Sequence, residues 1–280
     1  YLYQSERRSY LNENTLSYVF NKKKHNLNAL LGITFQKNTS YYHDVSVSHI
    51  TNESLGMAGL GNGDVPVVSA SKGENALMSY LGRLNYNYDS KYYVTFSMRA
   101  DGSSKFAPGN RWGYFPSVSA GWTISEEKFM ESVKSWFDFL KIRVSWGQVG
   151  NANINCYQYL APVSTTNTNY NFGSGGGQDA WVTGSYTSRL ANEKVKWETS
   201  EQYNVGIDAR FLNGRLALTA DGYIKNTKDW LVQAPVLATA GTSGPIINGG
   251  DVKNQGVELG LSWNCLLYTS PTPRDMRRSR

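Results

Sequence analysis

Residues 99–122 of this chain read RADGSSKFAPGNRWGYFPSVSAGW, which predicts the end of one strand, a polar loop and the start of a second strand. In the second strand, apolar and small residues alternate with the period of two that is typical of β-structure. One face carries Tyr114, Pro116, Val118, Ala120, Trp122 and Ile124, and the other carries Phe115, Ser117, Ser119, Gly121 and Thr123. The stretch therefore predicts a strand with one apolar face.

The same alternation recurs along most of the chain. It predicts further strands over residues 10–20, 27–41, 79–88, 91–101, 139–147, 197–211, 215–225 and 257–263. Most of them are longer than the ~5–6 residues that are usual in soluble proteins. Residues 51–73, rich in Gly, Ser and Asn, predict a long loop, and residues 126–137 predict a short helix or turn.

The connections between these strands alternate in length. Short turns at 89–90 and at Asn213-Gly214, a strong hairpin signal, alternate with long polar loops over 102–113, 151–192 and 227–250. Tyr and Trp residues lie near many strand ends. Long strands, aromatic ends and one-sided loop lengths favour an outer-membrane β-barrel. The alternative, a soluble β-sandwich, has shorter strands and more even loops.

The composition agrees with this architecture. Aromatic residues make up 13% and charged residues 18% of the 280 residues, and the mean hydropathy is −0.46. No apolar run approaches the ~18 residues of a spanning helix, which excludes a helical membrane protein. A membrane barrel stays possible, because only alternate residues of each strand meet lipid.

Residues 265–280 differ from the rest of the chain, because the alternation stops at Asn264. They resemble translated sequencing-adaptor sequence; a genuine basic tail is the alternative. We therefore predict a barrel fragment over 1–264 and a non-native tail over 265–280. Without the tail the net charge falls from +6 to +3, so nucleic-acid binding is not expected. The first residues contain no initiator Met or signal peptide, so we expect the chain to begin within a longer protein.

Residues that could form a metal or cofactor site are few. The chain has three histidines, His25, His43 and His49, and one cysteine before the tail, Cys156. This set predicts no metal site, no disulfide framework and no cofactor.

Two pairs of carboxylates could resemble the acid pair of a glycosidase. They are Glu126 with Glu127, and Glu198 with Glu201. Neighbouring charges on a turn or a strand are the ordinary interpretation of both. The segment 101–104 has neither the nucleophile-elbow nor the P-loop spacing. We therefore predict no catalytic residues and no enzyme.

Six motifs occur in order within residues 76–264. They are LGRLNYNY (81–88), RADGSSKF (99–106), YFPSVSAGW (114–122), LKIRVSWGQVGN (140–151), WETSEQYNVGID (197–208) and NQGVEL (254–259). Through these motifs the chain resembles the SusC/RagA family of TonB-dependent outer-membrane transporters. Residues 1–75 carry weaker marks of the same family.

The resemblance implies an all-β fold, a partial antiparallel transmembrane β-barrel. About ten of roughly 22 strands are expected here, with the plug domain absent. It also implies import across the outer membrane of a Gram-negative, Bacteroidetes-like cell. The implied partners are a SusD-like surface lipoprotein, the TonB complex, which is contacted through a missing N-terminal part, and outer-membrane lipid. The implied cargo is an oligosaccharide or an oligopeptide.

Aromatic residues in the long loops are the candidates for contact with cargo, because they can stack on sugar rings or peptide side chains. They are Trp112, Tyr170, Phe172, Trp181 and Tyr186. The alternative is that they pack the loops together or against the lipoprotein. For the whole protein, the alternative functions are a passive porin-like channel and a surface glycan-binding β protein.

Pro116 needs a special position, because proline cannot donate a hydrogen bond to a neighbouring strand. We expect it at a bulge or near the rim of the barrel.

Overall fold

A computed structural model describes residues 1–49, 52–133, 137–165, 168–171 and 181–264 of the chain. Within these ranges nine strands form one antiparallel sheet, close to the ten expected. In pairing order the strands are β1 (Leu2–Lys22), β2 (His25–Ser48), β3 (Asp64–Tyr88), β4 (Tyr92–Ser103), β5 (Trp112–Thr123), β6 (Phe137–Asn151), β11 (Glu198–Phe211), β12 (Leu216–Lys228) and β15 (Val252–Trp263). The all-β prediction is confirmed.

Six short strands lie in the connections and form three two-stranded sheets. They are β7 (Val163–Ser164), β8 (Asn169–Asn171), β9 (Trp181–Thr183), β10 (Tyr186–Thr187), β13 (Leu231–Gln233) and β14 (Ile246–Asn248). The predicted tail, 265–280, lies outside the described residues, and so does Phe172.

The two ends of the large sheet differ as the loop lengths predict. At the turn end, tight turns join β1 to β2, β3 to β4, and β11 to β12. Positive φ angles at Asp89 (54°), Ser90 (55°) and Asn213 (55°) mark these turns, because hairpin turns that follow the twist of the strands need left-handed residues. At the loop end, long segments join β2 to β3, β4 to β5, β6 to β11, and β12 to β15.

The predicted loop over 51–73 is wrong in its second half. A 3₁₀ helix occupies Glu53–Asn62, and β3 then begins at Asp64 and pairs with β2 up to Ser48. The Gly residues that suggested a loop over 51–73 lie mainly before Asp64, and from Asp64 onward the partner strand supplies the hydrogen bonds. Where a short helix or turn is predicted over 126–137, the described residues form two short 3₁₀ turns, Ile124–Glu126 and Lys128–Val133, and residues 134–136 lie outside the described ranges.

Pairing aligns the apolar residues of neighbouring strands on one face, which we call the apolar face. Trp122 lies opposite Tyr92, Val118 opposite Phe96, and Ile207 opposite Ile142. Many of these side chains are exposed, Val205 at 57% and Leu259 at 76%. An exposed apolar surface of this extent needs an apolar surrounding.

The height of the apolar face can be estimated on β5, which has Trp112 at one end and Trp122 near the other. At ~3.3 Å per residue the two tryptophans are about 33 Å apart along the strand. With a strand tilt of about 40°, this is about 25 Å along a barrel axis, which matches the usual apolar band of a membrane barrel.

The buried core lies on the opposite face, which we call the polar face, near its loop end. It contains Phe106, Phe115, Ile154, Val195 and Trp197. The ring of Trp197 lies 5.3 Å from that of Phe106 and 5.5 Å from that of Phe115, centroid to centroid. Burial of one such side chain contributes about 1.5–3 kcal/mol. This cluster fixes the loop-end segments to the sheet.

Pro116 does not lie at a bulge. It pairs with Met98 in an unbroken β4–β5 register, so the expectation of a bulge is wrong. On its other side, the β5–β6 ladder reaches only to Ser117, opposite Gly147. Proline is therefore tolerated because it stands where this second ladder ends, and Phe115 fills the space beyond it over Gly150.

Candidate functional site

The polar face holds a concave basin of about 760 Å³ at its loop end. Strands β2 to β6 and the first residues after β6 form its floor and walls. Amide side chains supply much of the lining, from Gln36, Asn38, Asn75, Gln148 and Asn151. Amides both donate and accept hydrogen bonds, so such a lining suits a polar ligand.

Arg99 and Asp101 form an ion pair on the floor of the basin. The Arg99 Nε donates to both carboxylate oxygens of Asp101 at 2.8 Å, and its Nη2 donates to the Ser79 hydroxyl at 3.2 Å. Both residues lie on β4, two positions apart, so the alternation places them on the same face. Asp101 is only 7% exposed. Its hydrogen bonds, with that of Ser79, hold the Arg99 guanidinium in one orientation.

Two further cations line the basin. The Lys105 ammonium donates to the Ala152 carbonyl at 3.1 Å and so links the β4–β5 loop to the segment after β6. Arg83 on β3 is exposed and has no hydrogen bond or ion pair within the described ranges. With Asp101 as the one carboxylate, the basin lining carries a net charge of +2.

An aromatic wall closes the basin on one side. Phe115 and Trp197 both contribute to its lining, and the Trp197 indole donates to the Arg111 carbonyl at 2.8 Å. Gly150 permits this packing, because a Cβ there would lie 2.0 Å from the Phe115 Cζ. The wall is therefore preformed by the protein's own core.

Hydrogen bonds join the loop-end segments around the basin. The Asn110 side chain donates to the Glu193 carbonyl at 2.8 Å, and the Asn192 side chain donates to the Ile246 carbonyl at 2.7 Å. Asn248 donates to the Lys196 carbonyl at 2.9 Å. Three separate segments are thus held together as one rim.

Four of the five aromatic candidates lie within the described residues, on three different parts of the fold, and Phe172 lies outside them. Trp112 lies on the apolar face, where its ring stacks on Tyr80 with centroids 5.8 Å apart. Tyr170 and Tyr186 are exposed and lie in the short sheets β8–β9 and β10–β7. Trp181 pairs through its backbone with Asn171. Their contact with cargo stays a prediction.

Sequence reasoning missed the basin itself. Alternation assigns Arg99 and Asp101 to the polar face, but it does not reveal which residues of the neighbouring strands stand beside them. Arg83 lies opposite Ser97, and Arg99 lies opposite Leu81 and Phe115. The register that creates the basin is set by the pairing of distant segments.

Glu198 and Glu201 do not form an acid pair. Glu198 and Glu201 lie on opposite faces of β11, as residues an odd number of positions apart in a strand do. The Glu198 carboxylate accepts hydrogen bonds from the Asn151 side chain and the Leu231 N–H, both at 3.1 Å. Glu201 accepts from the Trp146 indole, the Tyr203 hydroxyl and the Lys228 ammonium, all at 2.9 Å.

Glu127 has a similar set of partners at the turn end. Its carboxylate accepts from the Tyr92 hydroxyl at 2.5 Å and the Trp122 indole at 3.2 Å, and Lys91 lies 3.6 Å away. The hydrogen bond from Tyr92, and then that from Trp122, lower the pKa of Glu127 below its ordinary value. Trp and Tyr with a polar partner are suited to a membrane–water interface.

A second charged group lies further from the loop end on the polar face. Arg143 binds Asp208 at 2.7 and 3.0 Å and Asp221 at 3.0 and 3.1 Å. It is therefore neutralised by two carboxylates of neighbouring strands. This contrasts with Arg83, which has no partner in the described residues.

No group of three or more His, Cys, Asp or Glu side chains in the described ranges could hold a metal ion. Nor does any helix of this part of the chain have the length and apolar character needed to cross a membrane.

Comparison with protein families gives a match over residues 1–273 to the model described as TonB dependent receptor-like, beta-barrel. Among curated proteins, the TonB-dependent receptor P3 of Formosa agariphila is 35% identical over 258 residues, which are 90% of this chain and 24% of that protein. The TonB-dependent receptor SusC of Bacteroides thetaiotaomicron is 40% identical over 193 residues, which are 67% of this chain and 18% of that protein. The chain thus spans about a quarter or less of these relatives.

Solved structures show the same relationship. The RagAB peptide transporter matches with a TM-score of 0.76 and 28% identity, over 92% of this chain and 28% of the other. The siderophore receptor PirA from Pseudomonas aeruginosa matches with a TM-score of 0.56 at 16% identity, which shows a shared fold alone. The apolar face is therefore the outer wall of a barrel and the polar face is its lumen. The chain belongs to the TonB-dependent receptor β-barrel family, within its SusC/RagA branch.

Proposed function

We propose that this chain is part of the wall of a TonB-energised importer in the outer membrane, which takes up oligosaccharides or oligopeptides together with a SusD-like surface lipoprotein. The supporting observation is the polar, preformed basin at the loop end of the lumen face. Its position beneath the joined loop segments suits a ligand that arrives from the loop side. The name of one similar structure, the RagAB peptide transporter, supports the oligopeptide class, and the oligosaccharide class rests on the resemblance to the SusC/RagA family.

In this proposal the two faces perform separate tasks. The apolar face and its aromatic ends hold the wall in lipid, and the amide-rich basin receives the cargo through hydrogen bonds. The TonB complex supplies energy through a part of the protein other than the strands described here. The loop aromatics Tyr170, Phe172, Trp181 and Tyr186 contact cargo or lipoprotein, and Trp112, on the apolar face, is the weakest member of that group.

The test needs the full-length parent protein in cells, with its lipoprotein partner. Uptake of a mixed pool of oligosaccharides and oligopeptides is measured with TonB present and with TonB deleted. We expect uptake to fall to background without TonB, because a barrel whose lumen is filled by a plug domain does not let cargo diffuse through. Equal uptake in both strains would instead show a passive channel.

Trp181→Ala in the same parent tests the loop aromatics. We expect reduced uptake or reduced lipoprotein association, measured by transport and by co-purification. Normal values of both would remove Trp181 from the proposal.

A further inference from the structure

The charge of the basin is uneven. Arg83, Arg99 and Lys105 supply three cations, and Asp101 supplies the one carboxylate of the lining. Asp101 is already occupied by Arg99. The nearby Glu198 accepts hydrogen bonds from Asn151 and from the Leu231 N–H, and it forms no ion pair with these cations in the described ranges.

Two arginines line the floor of the same basin. Arg83 lies opposite Ser97, and Arg99 lies opposite Leu81, so the two arginines are diagonal neighbours on β3 and β4. Diagonal positions on one face of a sheet are about 7–8 Å apart, which is within reach of long side chains. Asp101 balances the charge of Arg99, whereas the charge of Arg83 has no carboxylate partner in the described ranges.

Arg99 is held in place while still having free donors. Asp101 and Ser79 engage its Nε and Nη2, which leaves the Nη1 amino group without a partner in the described ranges. Lys105 uses one of its three ammonium hydrogens for the Ala152 carbonyl. Arg83 has all of its donors available. Elsewhere on this face Arg143 is neutralised by Asp208 and Asp221.

We propose that Arg83 and Arg99 form an anion-binding subsite that recognises a carboxylate or sulfate group of the imported cargo. A guanidinium binds such planar or tetrahedral oxyanions through paired N–H donors, which an ammonium group cannot do. The surrounding amides of Gln36, Asn38 and Asn75 bind the hydroxyl or amide groups of the same molecule. This inference rests on the proposed importer function and narrows its substrate class to anionic cargo.

The test uses the full-length transporter with its lipoprotein, purified in detergent. It is incubated with a mixture of neutral, carboxylated and sulfated oligosaccharides and of neutral and acidic oligopeptides, and the retained components are identified by mass spectrometry. The variants are Arg83→Gln and Arg83→Lys. The matched control is Lys225→Gln, which removes another lumen-face cation without a partner in the described residues but lies outside the basin.

We expect the wild-type protein to retain anionic components in preference to neutral ones. Arg83→Gln should reduce that preference about tenfold, the lower range for loss of a hydrogen bond to a charged group. Arg83→Lys should show a smaller loss of this preference than Arg83→Gln, because lysine keeps the positive charge but lacks the paired N–H donors of a guanidinium. Lys225→Gln should leave it unchanged.

Three results would overturn the inference. If wild type retains neutral and anionic components equally, or if Arg83→Gln keeps the wild-type preference for anionic ones, the subsite is wrong and the importer proposal stands. If Arg83→Gln shifts the unfolding midpoint of the empty transporter without changing the retained set, Arg83 pairs with a carboxylate of the protein itself. If nothing is retained and cells show no TonB-dependent uptake, the importer proposal fails too.

Discussion

The apolar and polar faces of this sheet arise from the same strands, yet they differ in how their residues depend on one another. On the apolar face, each position needs only an apolar or aromatic side chain, because lipid adapts to its shape. On the polar face, Phe115, Trp197 and Gly150 form one interlocked cluster, and Arg99 depends on Asp101 and Ser79. The outer wall is therefore specified by the alternation of apolar residues, and the lumen face by contacts between individual side chains.

The largest expected effect comes from placing a charge at one of two neighbouring residues of β5, one on each face. Val118→Arg places a charge on the apolar face, between Phe96 and Trp146, and should destabilise the full-length barrel by about 2–4 kcal/mol in lipid. Ser119→Arg is the matched control, because Ser119 lies between Thr95 and Ser145 on the polar face. The measurement is the folded fraction in vesicles across a urea titration. Similar losses for both variants would show that the face assignment is wrong.

The second prediction concerns the interlocked cluster. Gly150→Ala forces a Cβ into the ring of Phe115, and overpacking of this kind costs about 1–3 kcal/mol. Gly222→Ala is the control, since a Cβ there meets no atom within 4 Å. The urea midpoint of the full-length protein should fall for Gly150→Ala alone. Phe115→Leu in the Gly150→Ala background should recover part of the loss, and failure to do so would argue against steric conflict as its cause.

The smallest expected effect is a pH dependence at the turn end. The lowered pKa of Glu127 means that its carboxylate stabilises the folded state at pH values above its ordinary 4.5. This contribution should be lost as the pH falls from 4.5 through the lower folded-state pKa, because protonation removes the charge that accepts from Tyr92 and Trp122. Glu127→Gln should flatten this part of the stability profile, measured as urea midpoint against pH. An unchanged profile would show that these contacts do not persist in lipid.

Much of the outer wall was predictable from sequence, and its strand boundaries were less so. The alternation of residues 114–124 identified β5 and its apolar side, and Asn213-Gly214 located a hairpin turn. The start of β3 at Asp64 was missed, because the Gly-rich stretch before it suggested a loop and the pairing with β2 is a long-range effect. The same limit applied to Pro116, whose position depends on where the β5–β6 ladder ends.

The sequence by itself determined the all-β architecture, the apolar stripe and the family resemblance, because period-two alternation and local motifs are properties of short segments. The tertiary structure decided the basin, the unpaired state of Arg83 and the separation of Trp112 from the loop aromatics. It also placed Glu198 and Glu201 with their separate partners. The physical reason is register: which residues stand side by side across strands is set by pairing between segments far apart in the chain.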